Sequence, residues 1–324
     1  MKSVAQPLTA DLERAGQVLR HDKPQVQGAS ELAVSTPAHR SIVGVYSDLF
    51  KARLTMLVLV TTMVGFYIGY RGPVNYLLMF STLLGTAVVA AGASALNQLL
   101  ERDYDAKMHR TQNRPLPSGR LQPVTVLVLG WLLAIVGLAY LAMAVNLTTS
   151  LLGAFSFFSY VFVYTPLKRL TWLNTAVGAI SGALPPLMGW TAARGELTTE
   201  GWALFAILAF WQLPHFLAIA WMYRDEYSRA GFKMLPAVDP TGRRTGHQAV
   251  WHTLGLLPVS LSPFLFRLAG SVYLFGALLL GLAFIWFAVQ FSRHLTVPRA
   301  RHLFLCSILY LPLLLGLMVL DKLK

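Results

Sequence analysis

The stretch YLLMFSTLLGTAVVAAGASALNQLLERDYDAKMHR, residues 76–110, decides how this chain is built. Residues 76–99 carry no charge, and about 20 apolar residues are enough to cross the hydrocarbon of a bilayer as a helix. Inside lipid the backbone has no water to bond to, so such a run must satisfy its own hydrogen bonds by coiling into a helix. Glu101, Arg102, Asp103 and Asp105 then arrive together, at the end of the run rather than within it.

The rest of the chain repeats the apolar pattern. Of its 324 residues 55% are hydrophobic and only 13% charged, where a soluble domain carries about a quarter charged. Nine spans are expected, over 54–70, 76–99, 123–145, 147–166, 172–193, 201–222, 249–267, 271–291 and 303–320. The fold class is therefore an all-α membrane protein, a bundle of nine transmembrane helices. A short polar turn around Asn146 and Thr148 joins the third span to the fourth, and Arg194, Gly195 and Glu196 split the fifth from the sixth. Gly178, Gly182, Pro185 and Pro186 inside the fifth span suit close packing and kinks in a membrane bundle.

A net charge of +13 would suggest nucleic acid in a soluble protein, but here the basic residues set membrane orientation and no nucleic acid is expected. Seven Lys and Arg residues lie at or before Arg53, fifteen in the loops after the even-numbered spans, and five on the other side. That asymmetry puts the N-terminus and the even-numbered loops in the cytoplasm and, with an odd number of spans, the C-terminus outside. Residues 1–45 read as a polar, disordered cytoplasmic tail ahead of a nine-span membrane domain over 46–324. They have no signal-peptide core, and Asp11, Glu13, Asp22 and Glu31 break the acid-poor rule of mitochondrial transit peptides. A bacterial inner membrane is expected over a mitochondrial one. The single cysteine, Cys306, sits in the last apolar run and reads as a small buried hydrophobe.

Most of the polar chemistry falls in two cytoplasmic loops. In the first, Asn97, Glu101 and Asp105 recur every fourth residue, which stacks them on one face of a helix. Three oxygen-bearing side chains in a row make a place for a hard divalent cation such as magnesium, which completes its shell with water and substrate phosphate. Lys107, Arg110 and Arg114 follow at once, and cations beside metal-bridged carboxylates hold a diphosphate. Arg120, Arg243 and Arg244 read as ordinary positive-inside anchors.

The second loop, after the sixth span, carries Asp225 and Glu226 with Lys233 close behind. Two acidic clusters on two helices could face each other across a cavity and bind a diphosphate between metal ions. A smaller cluster, Tyr164 with Lys168, ends the fourth span, and Arg53 opens the first; each could reach the diphosphate from a further side or serve as a snorkelling anchor. Gln212, His215, Ile219, Met222 and Glu226 fall on one stripe of a helix, by the three-and-four spacing.

At these residues the sequence resembles the UbiA superfamily of intramembrane prenyltransferases, whose first motif is Asn-x-x-x-Asp-x-x-x-Asp. Here that motif is Asn97, Glu101 and Asp105, with Glu in the middle place. Within the superfamily it is similar to the haem-prenylating branch. The matches are the run Asn97 to Arg114 with Pro115 and Leu116, the segment Tyr164–Arg169 with Thr171 and Asn174, Gly182 to Pro186 with Gly189, Trp211 to Phe216, and Ala230 to Pro236. The likeness spans roughly residues 45–320. Lys51-Ala52-Arg53 departs from the branch's usual Lys-Pro-Arg, and Tyr223 and Tyr227 stand where the wider superfamily has its second Asp-x-x-x-Asp.

The resemblance implies a reaction in which farnesyl diphosphate, haem B and water give haem O and diphosphate. Magnesium would be the cofactor, held by Asn97, Glu101, Asp105, Asp225 and Glu226. Gln212 and His215 would hold haem, a substrate here, and a haem A synthase is the implied partner. The residues leave open whether His215 ligates the iron or bonds a propionate. A UbiA-type aromatic prenyltransferase of quinone biosynthesis would share the metal site and differ in the acceptor pocket. A secondary transporter would use buried acids as an ion path, but at mid-membrane rather than at cytoplasmic span ends.

Overall fold

Each apolar run closes its own backbone hydrogen bonds, and the computed structural model, which describes residues 41–323, is helical throughout its regular structure apart from one isolated bridge between Ala269 and Lys322. The helices are α1 (Ile42–Leu49), α2 (Ala52–Gly69), α3 (Tyr76–Asp105), α4 (Pro123–Ala144), α5 (Leu147–Leu170), α6 (Asn174–Arg194), α7 (Thr199–Met222), α8 (Arg224–Ala230), α9 (Leu235–Val238), α10 (Arg243–Leu265), α11 (Ser271–His294) and α12 (Val297–Leu320). Helix α5 passes through a π-helical segment at Ser159–Tyr164. Short polar side chains start several of them, as expected of N-caps: Asn75 accepts from Leu78 N, Asn146 from Thr149 N and Thr296 from Arg299 N.

Among the described residues seven helices, α2, α3, α4, α5, α7, α11 and α12, are long and apolar enough to cross a membrane, and the protein is a multi-pass membrane protein. The expected nine spans include two more, α6 and α10, of 21 and 23 residues, which pack against the others but are less apolar. Helix α6 is rich in Gly, Ala, Pro and hydroxyl residues, and α10 opens on Arg243 and Arg244. Two span ends also move. Helix α3 continues past 99 to Asp105 and α5 past 166 to Leu170, because polar side chains at a span end extend the helix into water instead of ending it. Of the tail expected over 1–45, residues 1–40 lie outside the described residues, and the rest already enters α1 at Ile42.

Two apolar clusters are the largest among the described residues. One joins α3, α4 and α5 through Val89, Leu96, Ala134, Leu141, Phe157 and Val161, with Met188 reaching in from α6. The other joins α7, α10, α11 and α12 to parts of α2 and α6. Outward faces are apolar too. Helix α11 buries Tyr273, Ala277, Phe284 and Phe291 and exposes Val272, Phe275, Leu279, Leu282 and Trp286, as a helix bounded by lipid does.

Helices α2 and α6 cross closely where both are glycine. A Cβ placed on Gly65 would lie 2.0 Å from Pro186 O, and one on Gly189 would lie 1.9 Å from Thr62 O. Small residues let backbones approach in this way in membranes, where apolar burial alone does not drive helices together. Pro185 has no N–H for the carbonyl of Ser181, and Ser156 Oγ of α5 donates to that carbonyl at 3.1 Å. The crossing fixes α6 against α2 and α5, and the three helices with α3 and α7 wall a cavity.

Candidate active site

The cavity encloses about 370 Å³. Its long wall is apolar, with Leu57 and Val58 of α2, Val89 and Ala93 of α3, Phe157 of α5, Met188 of α6 and Leu208 of α7. Lys51, Tyr160, Tyr164 and Lys168 line its polar end, and Trp211, Gln212, His215 and Phe216 line it on α7.

The acidic face of α3 sits at that polar end. Asn97, Glu101 and Asp105 are 0%, 3% and 1% exposed, so none is a solvated surface group. Each is tied to a basic side chain from elsewhere in the chain. Lys51 Nζ donates to Asn97 Oδ1 at 2.5 Å and to Tyr160 OH at 3.2 Å. Lys168 Nζ pairs with Glu101 Oε1 at 2.8 Å, and Arg114 Nη1 with Asp105 Oδ2 at 2.6 Å. Asn97 Nδ2 also donates to Thr165 Oγ1 at 2.9 Å. Burial, then the Arg114 guanidinium, holds the Lys51 ammonium below the usual lysine range.

Three cations thus face two carboxylates, which leaves a surplus of positive charge suited to an anion. Asp105 Oδ1 is buried with no hydrogen-bond partner. The donor set, an amide oxygen and two carboxylates, is hard and oxygen-only, and fits a magnesium ion that takes its remaining ligands from water and phosphate. Among the described residues no three His, Cys, Asp or Glu side chains gather at one point, so an ion here would depend on the amide and on substrate oxygens.

The second acidic cluster does not join the first in one group of three such side chains among the described residues. Helix α7 ends at Met222 and α8 begins at Arg224, so the stripe from Gln212 to Glu226 is broken at Tyr223. The Asp225 side chain is 90% exposed and its nearest cation is its neighbour Arg224, at 3.7 Å. Its expected place among metal ligands is corrected accordingly: the side chain lies in solvent on the first turn of α8. Glu226 is half-buried and its Oε2 is buried without a partner. The loops after α3 and α7 do meet, but through an apolar cluster of Met108, Ala230, Phe232 and Met234 with Tyr104 and Tyr227.

Several expected diphosphate contacts also move. Arg53 is exposed on the first turn of α2 and does not line the cavity; Lys51, two residues earlier, points in instead. Lys51 sits in the left-handed region, with φ 49° and ψ 51°, which reverses the chain and swings its side chain inward. Lys107 is exposed over the Tyr104 ring at 5.3 Å. Arg110 is exposed, lies 5.1 Å from the Tyr223 ring and 4.6 Å from the Tyr227 ring, and donates to Tyr227 OH. Lys233 is exposed and contributes its backbone, its N–H donating to Lys168 O at 2.7 Å. Tyr164 lies under Lys168, ring centroid to Nζ 4.5 Å, and stacks on Tyr160 at 5.6 Å.

On α7, His215 Nδ1 pairs with Ser307 Oγ at 2.7 Å, and its ring lies against Trp211 at 5.0 Å and Phe304 at 5.1 Å. Gln212 Nε2 donates to Leu208 O at 3.0 Å. A Cβ on Gly182 would fall 2.2 Å from Gln212 Oε1, so that glycine makes the room in which Gln212 sits. Sequence reasoning missed Lys51, Tyr160 and Ser307. The first two are neighbours in space of a motif residue but carry no spacing signal, and Ser307 meets His215 across 92 residues of chain.

The UbiA prenyltransferase family matches residues 58–312. A protein of Solibacter usitatus (strain Ellin6076) described as "Protoheme IX farnesyltransferase" is 49% identical over 286 residues, 86% of this chain and 98% of that one. The fold is shared with a solved structure described as "Structural and mechanistic insights into the biosynthesis of Digeranylgeranylglyceryl phosphate synthase in membranes", at a TM-score of 0.74 and 14% identity over 86% of this chain and 98% of that one. It is shared also with a "UbiA homolog from Archaeoglobus fulgidus bound to DMAPP and Mg2+", at a TM-score of 0.60 and 17% identity over 85% of this chain and 99% of that one.

Proposed function

The chain belongs to the UbiA prenyltransferase family, and from that membership we propose that it joins a farnesyl group to a vinyl group of haem B, with uptake of water, to give haem O and diphosphate. The observation that carries this reading is one cavity with two kinds of lining: Lys51 and Lys168, the partners of Asn97 and Glu101 behind them, at its polar end, and Gln212 and His215 on its α7 wall. The relative from Solibacter usitatus, by its description a protoheme IX farnesyltransferase, supports the substrate pair.

Lys51, Lys168 and Arg114 would bind the diphosphate by exchanging their carboxyl and amide partners for its oxygens. Asn97, Glu101 and Asp105 would hold magnesium, which when bound supplies positive charge against the negative charge that develops as diphosphate departs. The apolar wall seats the farnesyl chain and keeps bulk water from its reacting carbon. As the C1–O bond breaks, its electron pair leaves with the diphosphate. The rings of Tyr160, Tyr164 and Trp211 line the space where the allylic cation forms, and their faces stabilise it. The vinyl π pair then bonds to C1. Water captures the cation on the former vinyl carbon and gives up a proton.

With Nδ1 engaged by Ser307, His215 has Nε2 for the haem, either its iron or a propionate. His215→Ala is expected to weaken haem binding about tenfold or more, seen as a lost or shifted Soret band, with farnesyl diphosphate binding little changed. Normal haem binding with a selective loss of prenyl diphosphate affinity would move His215 to the other end of the site.

The excess of Lys and Arg at the N-terminus and in the loops after α3, α5, α7 and α11 supports a cytoplasmic placement of the acidic face, in a bacterial inner membrane. The decisive experiment gives detergent-solubilised protein magnesium, farnesyl diphosphate and haem B. Diphosphate release with a haem product heavier by a farnesyl group and a hydroxyl is the expected result. Unchanged haem beside prenylation of an aromatic quinone precursor would overturn the assignment of the acceptor.

A further inference from the structure

Gln98 stands next to Asn97 in α3 but reaches the opposite way, to the turn between α1 and α2. It is 0% exposed, and its Nε2 donates to Asp48 O at 2.8 Å and to Leu49 O at 2.9 Å. These carbonyls belong to the last turn of α1, where few N–H groups are left for them; Asp48 O also accepts from Lys51 N at 3.3 Å. On the far side of the turn Thr55 Oγ1 donates to Phe50 O at 2.9 Å, and Leu54 N and Thr55 N donate to Lys51 O. The turn is thus held from both ends. Between the two holds sits Lys51, in a left-handed conformation uncommon for a residue with a side chain.

Two consecutive residues of α3 therefore grip one turn in different ways. Asn97 meets the Lys51 ammonium, and Gln98 meets the backbone that aims it. A glutamine kept only for packing would be better replaced by leucine, because the Gln98 Oε1 atom is itself buried without a partner. The two donated bonds are what the amide supplies.

We propose that Gln98 is a positioning residue for diphosphate binding: by holding Asp48 O and Leu49 O it fixes the left-handed turn that delivers the Lys51 ammonium to the acidic face. The inference rests on the reading that Lys51 contacts the diphosphate. Gln98 touches neither the substrate nor the reacting atoms and acts through Lys51.

The test is a double-mutant cycle on full-length protein with Gln98→Leu, Lys51→Met and the pair together. It reads KM for farnesyl diphosphate, kcat, and the affinity for inorganic diphosphate at fixed magnesium. Each single variant is expected to weaken diphosphate binding about tenfold, the range for a lost charged hydrogen bond, mainly through KM. The pair is expected to be no worse than Lys51→Met alone to within about twofold, since coupled neighbours are not additive. Losses that multiply would show that Gln98 acts independently of Lys51 and would overturn the proposal. If Lys51→Met leaves diphosphate binding unchanged, the reading of Lys51 itself falls, and the proposal with it. Should Gln98→Leu not accumulate as folded protein, Gln98→Asn goes through the same cycle; its shorter amide reaches one carbonyl at most, and the same two outcomes decide.

Discussion

Glu101→Gln and Asp105→Asn are each expected to cut turnover by roughly a hundred- to a thousandfold while the protein remains folded, a loss on the scale of removing one preorganised group that stabilises transition-state charge. Both substitutions keep the size of the side chain and an oxygen for Lys168 or Arg114 to bond, so the packing at the polar end of the cavity is preserved. What disappears is a formal negative charge facing the position of the cation. The concentration of magnesium needed for half-maximal diphosphate release should rise in the variant that retains measurable activity. Diphosphate release and the elution volume in detergent check the two halves of the expectation. Near-normal turnover in both variants would remove the acidic face of α3 from the chemistry.

The largest effect on stability is expected at the α2–α6 crossing. Gly189→Val and Gly65→Val each force a side chain into a space whose nearest backbone oxygen lies 1.9 Å or 2.0 Å from the first added carbon. A backbone oxygen cannot rotate away as a side chain can, so the helices must separate and the cavity wall with them. A loss of about 3 kcal/mol or more is expected, at the upper end of what overpacking costs. It would be read as a lowered thermal midpoint in detergent or as failure to accumulate in the membrane. Gly316 of α12 provides the control, because a Cβ there meets nothing within 4 Å. Gly316→Ala should leave the midpoint unchanged or slightly raised. Equal behaviour of the three variants would show that the crossing is not where the bundle is held.

The spans were legible because the bilayer imposes a length and an apolarity on each. The first acidic face was legible for a related reason: Asn97, Glu101 and Asp105 share one helix, and a period of four is visible in the order of the residues. The stripe that carries Glu226 depends on whether α7 continues through Tyr223, and nothing in the run Trp221-Met-Tyr-Arg-Asp announces the break that the structure contains. Lys51 was overlooked in favour of Arg53 because the choice between them is made by a single left-handed residue. A φ of 49° at a lysine is the outcome of contacts from α3, not of local propensity. The His215 environment lay beyond reach in the same sense, since Phe304 and Ser307 arrive from the last helix of the chain. Periodic features within one element were readable, and features made where distant elements meet were not.

Helix α6 has a consequence for how the protein is made. Fifteen of its 21 residues are buried among other helices, and it falls short of the apolarity that would let it cross a membrane unaided. Emerging from the ribosome, it has weak reason to leave the aqueous channel for lipid. Its permanent neighbours are α2 and α5, already synthesised, and α7, which starts just past the short turn at residues 195–198. Helix α7 does have the length and apolarity to enter by itself. Insertion of α6 is accordingly expected to be completed with α7, the two entering as a hairpin, so that a segment lining the cavity is carried into the bilayer by the segment that follows it.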